Sequence, residues 1–228
     1  MSGTESRQGR AHDAEGARQA ILDAAEEIFA QHGFDGARID AIAETAGYNK
    51  SLIFQYYGSK LDLYAEVIRR ADELTRGPQT QVFAALLEDE TAFTAGRLIP
   101  LFKTYLSAYF DFLIGHPRFV RMLVWEMAEG WQTYTQVLTQ RDVDDVDQFR
   151  PIQQKIQAAG VLRSNFRPIA QFVLIEFLFP CYLSMLPLYQ ALLPGEAISS
   201  PAELAHARDF IVDFVVHGML LDATESKP

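Results

Sequence analysis

Ile39, Ile42, Ala43 and Ala46 stand at offsets 0, 3, 4 and 7, and Gly47 follows at once. That spacing gives one buried stripe on a helix of about two turns, stopped by a residue that turns left-handed without penalty. Asn49 is placed to cap a second short helix that runs to about Tyr57. Two short helices separated by a glycine turn form a helix-turn-helix. A strand reading needs period-two alternation, and almost none occurs in the 228 residues. The expected fold class is all-α.

The same punctuation organises the rest of the chain. Residues 1–12 are polar and are expected to be a disordered tail; Arg7 and Arg10 there are candidates for a minor-groove arm. A first helix is predicted from about Asp13 to His32, with Ile21, Ala25, Ile28 and Phe29 on one face and Gly33 ending it. Ser59 and Asp62 have capping-box spacing for a fourth helix that continues at least to Arg76, where Gly77 and Pro78 break the pattern. Further helices are bounded by Gly115 to Pro117, by Gly130, by Gly160, by Pro168 and by the loop from Pro194 to Pro201. The expected organisation is a tail over 1–12, a helix-turn-helix domain over 13–62 and a second helical domain over 63–228.

Composition narrows the function classes. A chain with 49% hydrophobic residues buries a sizeable core, which excludes disorder as the main state. Its single cysteine, Cys181, forbids an internal disulfide, and no charged leader with an apolar run opens the sequence, so a cytoplasmic protein is expected. The formal charge of -10 opposes nucleic-acid binding, because DNA affinity comes largely from Lys and Arg meeting phosphates. Residues 1–70 alone hold 8 Lys and Arg against 11 Asp and Glu. DNA binding would have to rest on a few placed cations, doubled in a dimer.

The helix after Asn49 supplies the right surface. Ile53 and Tyr57 share a face that packs on the preceding helices, with Phe54 flanking, while Ser51, Leu52, Gln55 and Tyr56 point away. Gln55 can pair with adenine through two hydrogen bonds, and Leu52 or Tyr56 can meet a thymine methyl or a phosphate. Tyr57 reads equally well as a satisfied core tyrosine. Lys60 opposes the dipole of the helix it opens; a nearby phosphate would reverse that cost, and a tolerated, solvated lysine is the alternative.

The stretch from Gly33-Phe34 through Ile42-Ala43, Ala46-Gly47-Tyr48-Asn49-Lys50 and Tyr56-Tyr57-Gly58-Ser59-Lys60 resembles, in order and spacing, the N-terminal domain of the tetracycline-repressor (TetR) family over roughly residues 14 to 65. The resemblance implies an N-terminal three-helix DNA-binding domain and a C-terminal helical ligand-binding and dimerisation domain. It implies a DNA-contacting set of Arg38, Lys50, Ser51, Leu52, Gln55, Tyr56 and Lys60. Three residues depart from the family pattern: Arg38 replaces a capping Thr or Ser, Asp40 occupies an often basic position, and Leu52 replaces a common threonine.

Beyond about Leu74 the resemblance implies only architecture: a small-molecule domain that dimerises through its last two long helices. The apolar stretch from Ile169 to Leu193 carries Gln171, Glu176 and Gln190 and two prolines, so burial between protomers is favoured over membrane insertion. Phe210, Ile211, Phe214, Val215 and Gly218 form a helical stripe expected at the dimer interface. Phe102, Tyr105, Tyr109, Phe112, Trp125, Phe172, Glu176, Phe179 and Tyr182 could surround an aromatic-lined pocket for an apolar effector; ordinary core is the alternative for each. Glu176 would be its polar group, or pair with a neighbouring Arg or His.

No catalytic constellation, cofactor fingerprint or metal site is expected. Asp142, Asp144, Asp145 and Asp147 lack the Gly and Glu of a calcium loop, the histidines form no spaced pair, and Cys181 has no activating base. The expected partners are operator DNA, a small-molecule effector and a second copy of the chain, the expected role that of a repressor released from a near-palindromic operator. A helical small-molecule-binding protein that has lost specific DNA binding is the alternative.

Overall fold

A computed structural model describes the backbone of residues 3–88, 93–140, 154–155, 158–161 and 168–219, and the side chains of 13–74, 93–94, 96–139, 154–155, 158–161 and 173–219. Ten helices occur among the described residues and no strand: α1 (Gly3–Gly36), α2 (Ile39–Ala46), α3 (Lys50–Tyr57), α4 (Lys60–Glu88), α5 (Ala95–Gly115), α6 (Pro117–Glu129), α7 (Gln132–Gln140), α8 (Pro168–Ser184), α9 (Leu186–Leu192) and α10 (Pro201–Met219). The contacts divide the chain into two units, Met1–Glu73 with Arg121–Arg141, and Leu74–Val120 with Asp142–Pro228. The first unit therefore runs past residue 62 and takes in the end of α6 and all of α7, which sequence alone had assigned to the second domain.

Two expectations about helix ends are corrected. α1 begins at Gly3, so the backbone expected to be a disordered tail continues the helix; Arg7, Gln8, Arg10 and Ala11 are all helix-compatible, and only glycine interrupts them. α4 passes through Gly77 and Pro78 to Glu88. A proline costs one backbone donor and strains the turn before it, which bends or weakens a helix without obliging it to stop.

The first unit is organised around the end of α1. Gly33 takes φ 68, ψ -179, a region open to glycine almost alone, and so breaks the helical ladder there. The carbonyls of the preceding turn lose their intrahelical partners. One of them, Ala30, accepts from Arg121 Nε and from Trp125 Nε1, each at 3.2 Å, so α6 satisfies what the glycine exposes. A Cβ at Gly33 would lie 2.9 Å from Glu129 Oε1 and 3.1 Å from Trp125 Cδ2. Both the backbone angle and the close approach of α6 require glycine here.

Beneath this contact lies an aromatic cluster. Tyr64 meets Phe29 and Phe34 edge-on, with ring centroids 4.9 and 5.2 Å apart, and Phe29 is fully buried. Each such ring contributes roughly 2 kcal/mol by burial. Tyr64 Oη donates to Glu126 Oε1 at 2.7 Å, and the Tyr134 N–H donates to Glu126 Oε2 at 3.0 Å. Glu126 is 1% exposed. Its carboxylate thus caps the start of α7 and holds α4 against α6. Burial, and then its bond to Glu126, pushes the Tyr64 phenol well above the ordinary tyrosine range.

In the second unit α5 packs on α8 and α10. Phe110 and Phe179, both fully buried, meet edge-on at 5.3 Å, and Lys103–Asp213 at 2.6 Å and Arg208–Asp111 at 2.9 Å bind α5 to α10. The apolar stretch expected as one helix breaks at Met185 into α8 and α9. Among the described residues no single helix is long and apolar enough to cross a membrane; Val173–Ser184 and Leu186–Leu192, bent by 48°, pass together on length and composition only. The Asp142 to Asp147 run lies outside the described residues, and among those described no group of His, Cys, Asp and Glu could hold a metal ion.

Two substitutions test this arrangement. Gly33→Ala is expected to lower unfolding free energy by about 2 kcal/mol or more in urea titration, against about 1 kcal/mol for Gly130→Ala, which has a similar φ of 72° but open space at its Cβ. Equal losses would mean the approach of α6 is immaterial. Glu126→Ala, which strands the Tyr64 hydroxyl and the Tyr134 N–H, is expected to cost about 2–4 kcal/mol and Glu126→Gln clearly less.

Candidate nucleic-acid interface

α3 is held rigidly from both ends. Asn49 Oδ1 accepts from the Leu52 N–H at 2.9 Å, Gly47 makes the turn before it in the left-handed region at φ 74, and Gly58 closes the helix. Ile53 is fully buried and anchors the inner face. Tyr57 Oη donates to the Arg18 carbonyl at 2.9 Å, and burial pushes its phenol up to about 12. That answers the open question at Tyr57, which ties α3 to α1. Ser59 and Asp62 form the expected capping box: Ser59 Oγ donates to Asp62 Oδ2 at 2.6 Å and accepts from the Asp62 N–H at 3.1 Å.

The outer face of α3 presents Lys50, Ser51 and Gln55 exposed, with Leu52 and Tyr56 half-buried. Phe54, expected to flank the core, is 45% exposed and joins this face instead, because Ile53 and Tyr57 already fill the space over α1 and α2. Arg18 lies 5.1 Å over the Tyr56 ring, fixing the orientation of that phenol. Sequence reasoning missed Arg18, since a solvent-facing arginine on α1 carries no motif.

The cations are individually placed. Arg38 is exposed at the N-cap position of α2 and makes no capping bond, as its side chain dictates. Lys50 Nζ pairs with Asp40 Oδ1 at 3.0 Å. Lys60 Nζ stands 4.6 Å over the Phe34 ring and donates to the Asp35 carbonyl at 3.4 Å. The ring and carbonyl offset the helix dipole that Lys60 opposes, an explanation beyond the phosphate and the solvated lysine weighed from sequence. Burial pulls the Lys60 ammonium below its ordinary value, while Asp35 and Glu129 oppose that shift. Glu129 is displaced upward, first by burial and then by the Asp35 and Glu126 carboxylates.

Of the nine residues expected around an effector pocket, five come together in the second unit. Tyr105 Oη donates to Glu176 Oε1 at 2.6 Å, Tyr109 stacks on Tyr105 at 6.4 Å and touches Phe179 at 6.0 Å, and Tyr182 joins through Phe110, which sequence missed. Phe102 is buried on the same helix as Tyr105. Phe112 turns instead to His116 and Phe119, with centroids 4.0 and 6.0 Å away. Trp125 belongs to the first unit, where its indole N–H satisfies Ala30. The side chain of Phe172 lies outside the described residues.

The stripe expected at a dimer interface divides. Phe210 and Phe214 stack on each other and are 72% and 70% exposed, and Gly218 is exposed. Val215 is 7% exposed and packs inward with Val212, Val216 and Met219, and Ile211 is half-buried. Two valines and a methionine on the face toward α5 claim Val215 for the protomer's own core.

Comparison with known proteins fits both units. Residues 21–67 match the family described as bacterial regulatory proteins, tetR family, and residues 101–215 match the tetracyclin repressor-like C-terminal domain. The HTH-type transcriptional repressor SCO4008 of Streptomyces coelicolor is 34% identical over 119 residues, covering 52% of this chain and 54% of that protein. The HTH-type transcriptional repressor NicS of Pseudomonas putida is 28% identical over 175 residues, 76% of this chain and 77% of that one. The match to SCO4008 thus spans about half of that relative's length. The crystal structure of SCO4942 from Streptomyces coelicolor superposes with a TM-score of 0.54 at 25% identity over 89% of this chain and 98% of its own. With a helix-turn-helix in the first unit, only helices and no strand among the described residues of the second, and a C-terminal match that alone spans half the sequence, the chain belongs to the tetR family of bacterial regulatory proteins.

Proposed function

We propose that this protein is a homodimeric DNA-binding transcriptional repressor, released from a near-palindromic operator by a small, largely apolar effector. The observation that carries the reading is the outer face of α3, where Lys50, Ser51 and Gln55 are exposed on a helix capped by Asn49 and seated by the buried Ile53. A recognition helix must present its N-terminal residues to base edges without deforming. The related repressors SCO4008 and NicS support the same reading.

Arg38, Lys50 and Lys60 supply phosphate or base contacts, Gln55 and Ser51 read bases, and Leu52 and Tyr56 add apolar and backbone contacts. A second copy doubles this small number of cations, which a chain of net charge -10 needs. The exposed pair Phe210 and Phe214, with Leu174 on α8 at 68% exposure, gives that copy an apolar surface to cover. The effector site is the group of Tyr105, Tyr109, Glu176, Phe179 and Tyr182 in the second unit. α4 begins with Lys60 in the first unit and ends in the second, so a shift along it on ligand binding changes the placement of the reading head.

A gel shift against the chain's own upstream region is expected to show a specific complex that weakens steeply with salt; no shift at low salt would sink the regulator reading and favour the alternative of a ligand binder without DNA function. Gln55→Ala is expected to alter base preference while Lys60→Ala weakens all sequences alike, and the reverse pattern would overturn the groove assignment. Phe210→Asp with Phe214→Asp is expected to yield monomers in sedimentation that lose most operator affinity. A compound that raises the melting temperature through the second unit is expected to lower operator affinity reciprocally.

A further inference from the structure

We infer that Asp40 and Lys50 act together as a base-reading pair that recognises a C·G base pair in each half of the operator, Asp40 being a specificity residue. The inference rests on the DNA-binding reading above. Asp40 lies in the first turn of α2 and Lys50 opens α3, so the turn of the motif brings an acid and a base to the edge that meets DNA. Their Nζ and Oδ1 atoms are 3.0 Å apart, with side chains 60% and 77% exposed. So exposed an ion pair contributes little to stability. The dipole of α2 welcomes Asp40, yet the dipole of α3 disfavours a lysine at its first position, and helix formation alone leaves Lys50 unexplained.

The chemistry of the pair matches one base-pair edge. In the major groove a C·G pair shows the cytosine N4 amino donor beside the guanine O6 acceptor, with guanine N7 next in line. N4 and O6 are themselves hydrogen-bonded, about 2.9 Å apart by ordinary geometry. A carboxylate oxygen and an ammonium 3.0 Å apart can therefore stand opposite them, Asp40 accepting from N4 and Lys50 donating to O6 and N7. An A·T pair matches less fully: its adenine donor has a single acceptor on either side, so Lys50 loses its second contact, and the thymine methyl covers the outer edge. Off register, the Asp40 carboxylate faces phosphates and repels them while occupying Lys50. The pair thus raises discrimination by lowering non-specific affinity as well as by reading the base pair.

Selection of the full-length protein on a randomised duplex pool tests this, with wild type, D40N, D40E and K50Q compared in parallel. Wild type is expected to enrich a motif with a C·G pair at one position of each half-site, and replacing that pair to lower its affinity about tenfold. D40N is expected to lose that preference, to keep the rest of the motif and to bind random duplex several-fold more tightly; D40E, which keeps the carboxylate, is expected to retain part of the preference. If D40N enriches the same motif with unchanged preference at every position, Asp40 only repels phosphate and the inference is overturned. Should wild type enrich no motif at all, the regulator reading itself falls, and this inference with it.

Discussion

The Glu126 carboxylate is the contact on which the first unit depends. It is nearly inaccessible, and it accepts from two groups, the buried Tyr64 hydroxyl on α4 and the half-buried Tyr134 N–H at the start of α7. A buried carboxylate tolerates no loose geometry, since each lost partner leaves a desolvated charge. The position of Tyr64 is thereby set, and Lys60 lies one turn before it on the same helix. Glu129, one turn beyond Glu126, faces Gly33, whose broken helical ladder is mended by Arg121 and Trp125 of α6. The knot bears on the reading helix through the chain, because α4, whose Tyr64 it fixes, follows α3 across only Gly58 and Ser59.

The reading unit was legible in sequence for a physical reason. Asn49 capping Leu52, Ser59 with Asp62, Gly47 at φ 74 and the break at Gly33 are all decided within a few residues, where cap geometry and backbone sterics dominate. The stripe of Ile42, Ala43 and Ile53 needs only a local core. What escaped was set at long range. Trp125 reads as an aromatic on an amphipathic helix, and only the fold brings it to Ala30, 95 positions earlier in the chain. Nothing near Glu126 announces that it will be buried, since a lone glutamate in a helix is usually solvated.

The second unit shows a different limit. α10 is apolar on more than one face, so periodicity finds the stripe without saying which part turns inward. Val212, Val215, Val216 and Met219 go to the core, and Phe210 and Phe214 are left outside. Shape is part of the reason: compact β-branched residues pack closely against α5, while the two rings stack on each other at the surface. Similarly, Phe112 and Tyr109 differ by three positions, yet one meets His116 and the other Phe179. Aromatic richness marked the region as packed and left its partition into cluster and surface undetermined.

Charge economy links the two levels. Two arginines of the first unit are engaged by acids: Arg69 by Glu66 and Glu73, Arg70 by Asp23 and Glu26. These pairs lace α4 internally and to α1; the more exposed Arg69 pairs add little stability individually, while Arg70 and Glu26 are half-buried. Their consequence is electrostatic, because they remove cations that would otherwise bind any polyanion. What remains at the reading edge is Arg38 without a capping role, Lys60 steadied by Phe34, and Lys50 shared with Asp40. On the proposed DNA-binding reading, so few placed cations at this edge of an acidic chain leave little to bulk attraction, and affinity comes from contacts made in the correct register. The net charge that argued against DNA binding therefore becomes an argument for selectivity.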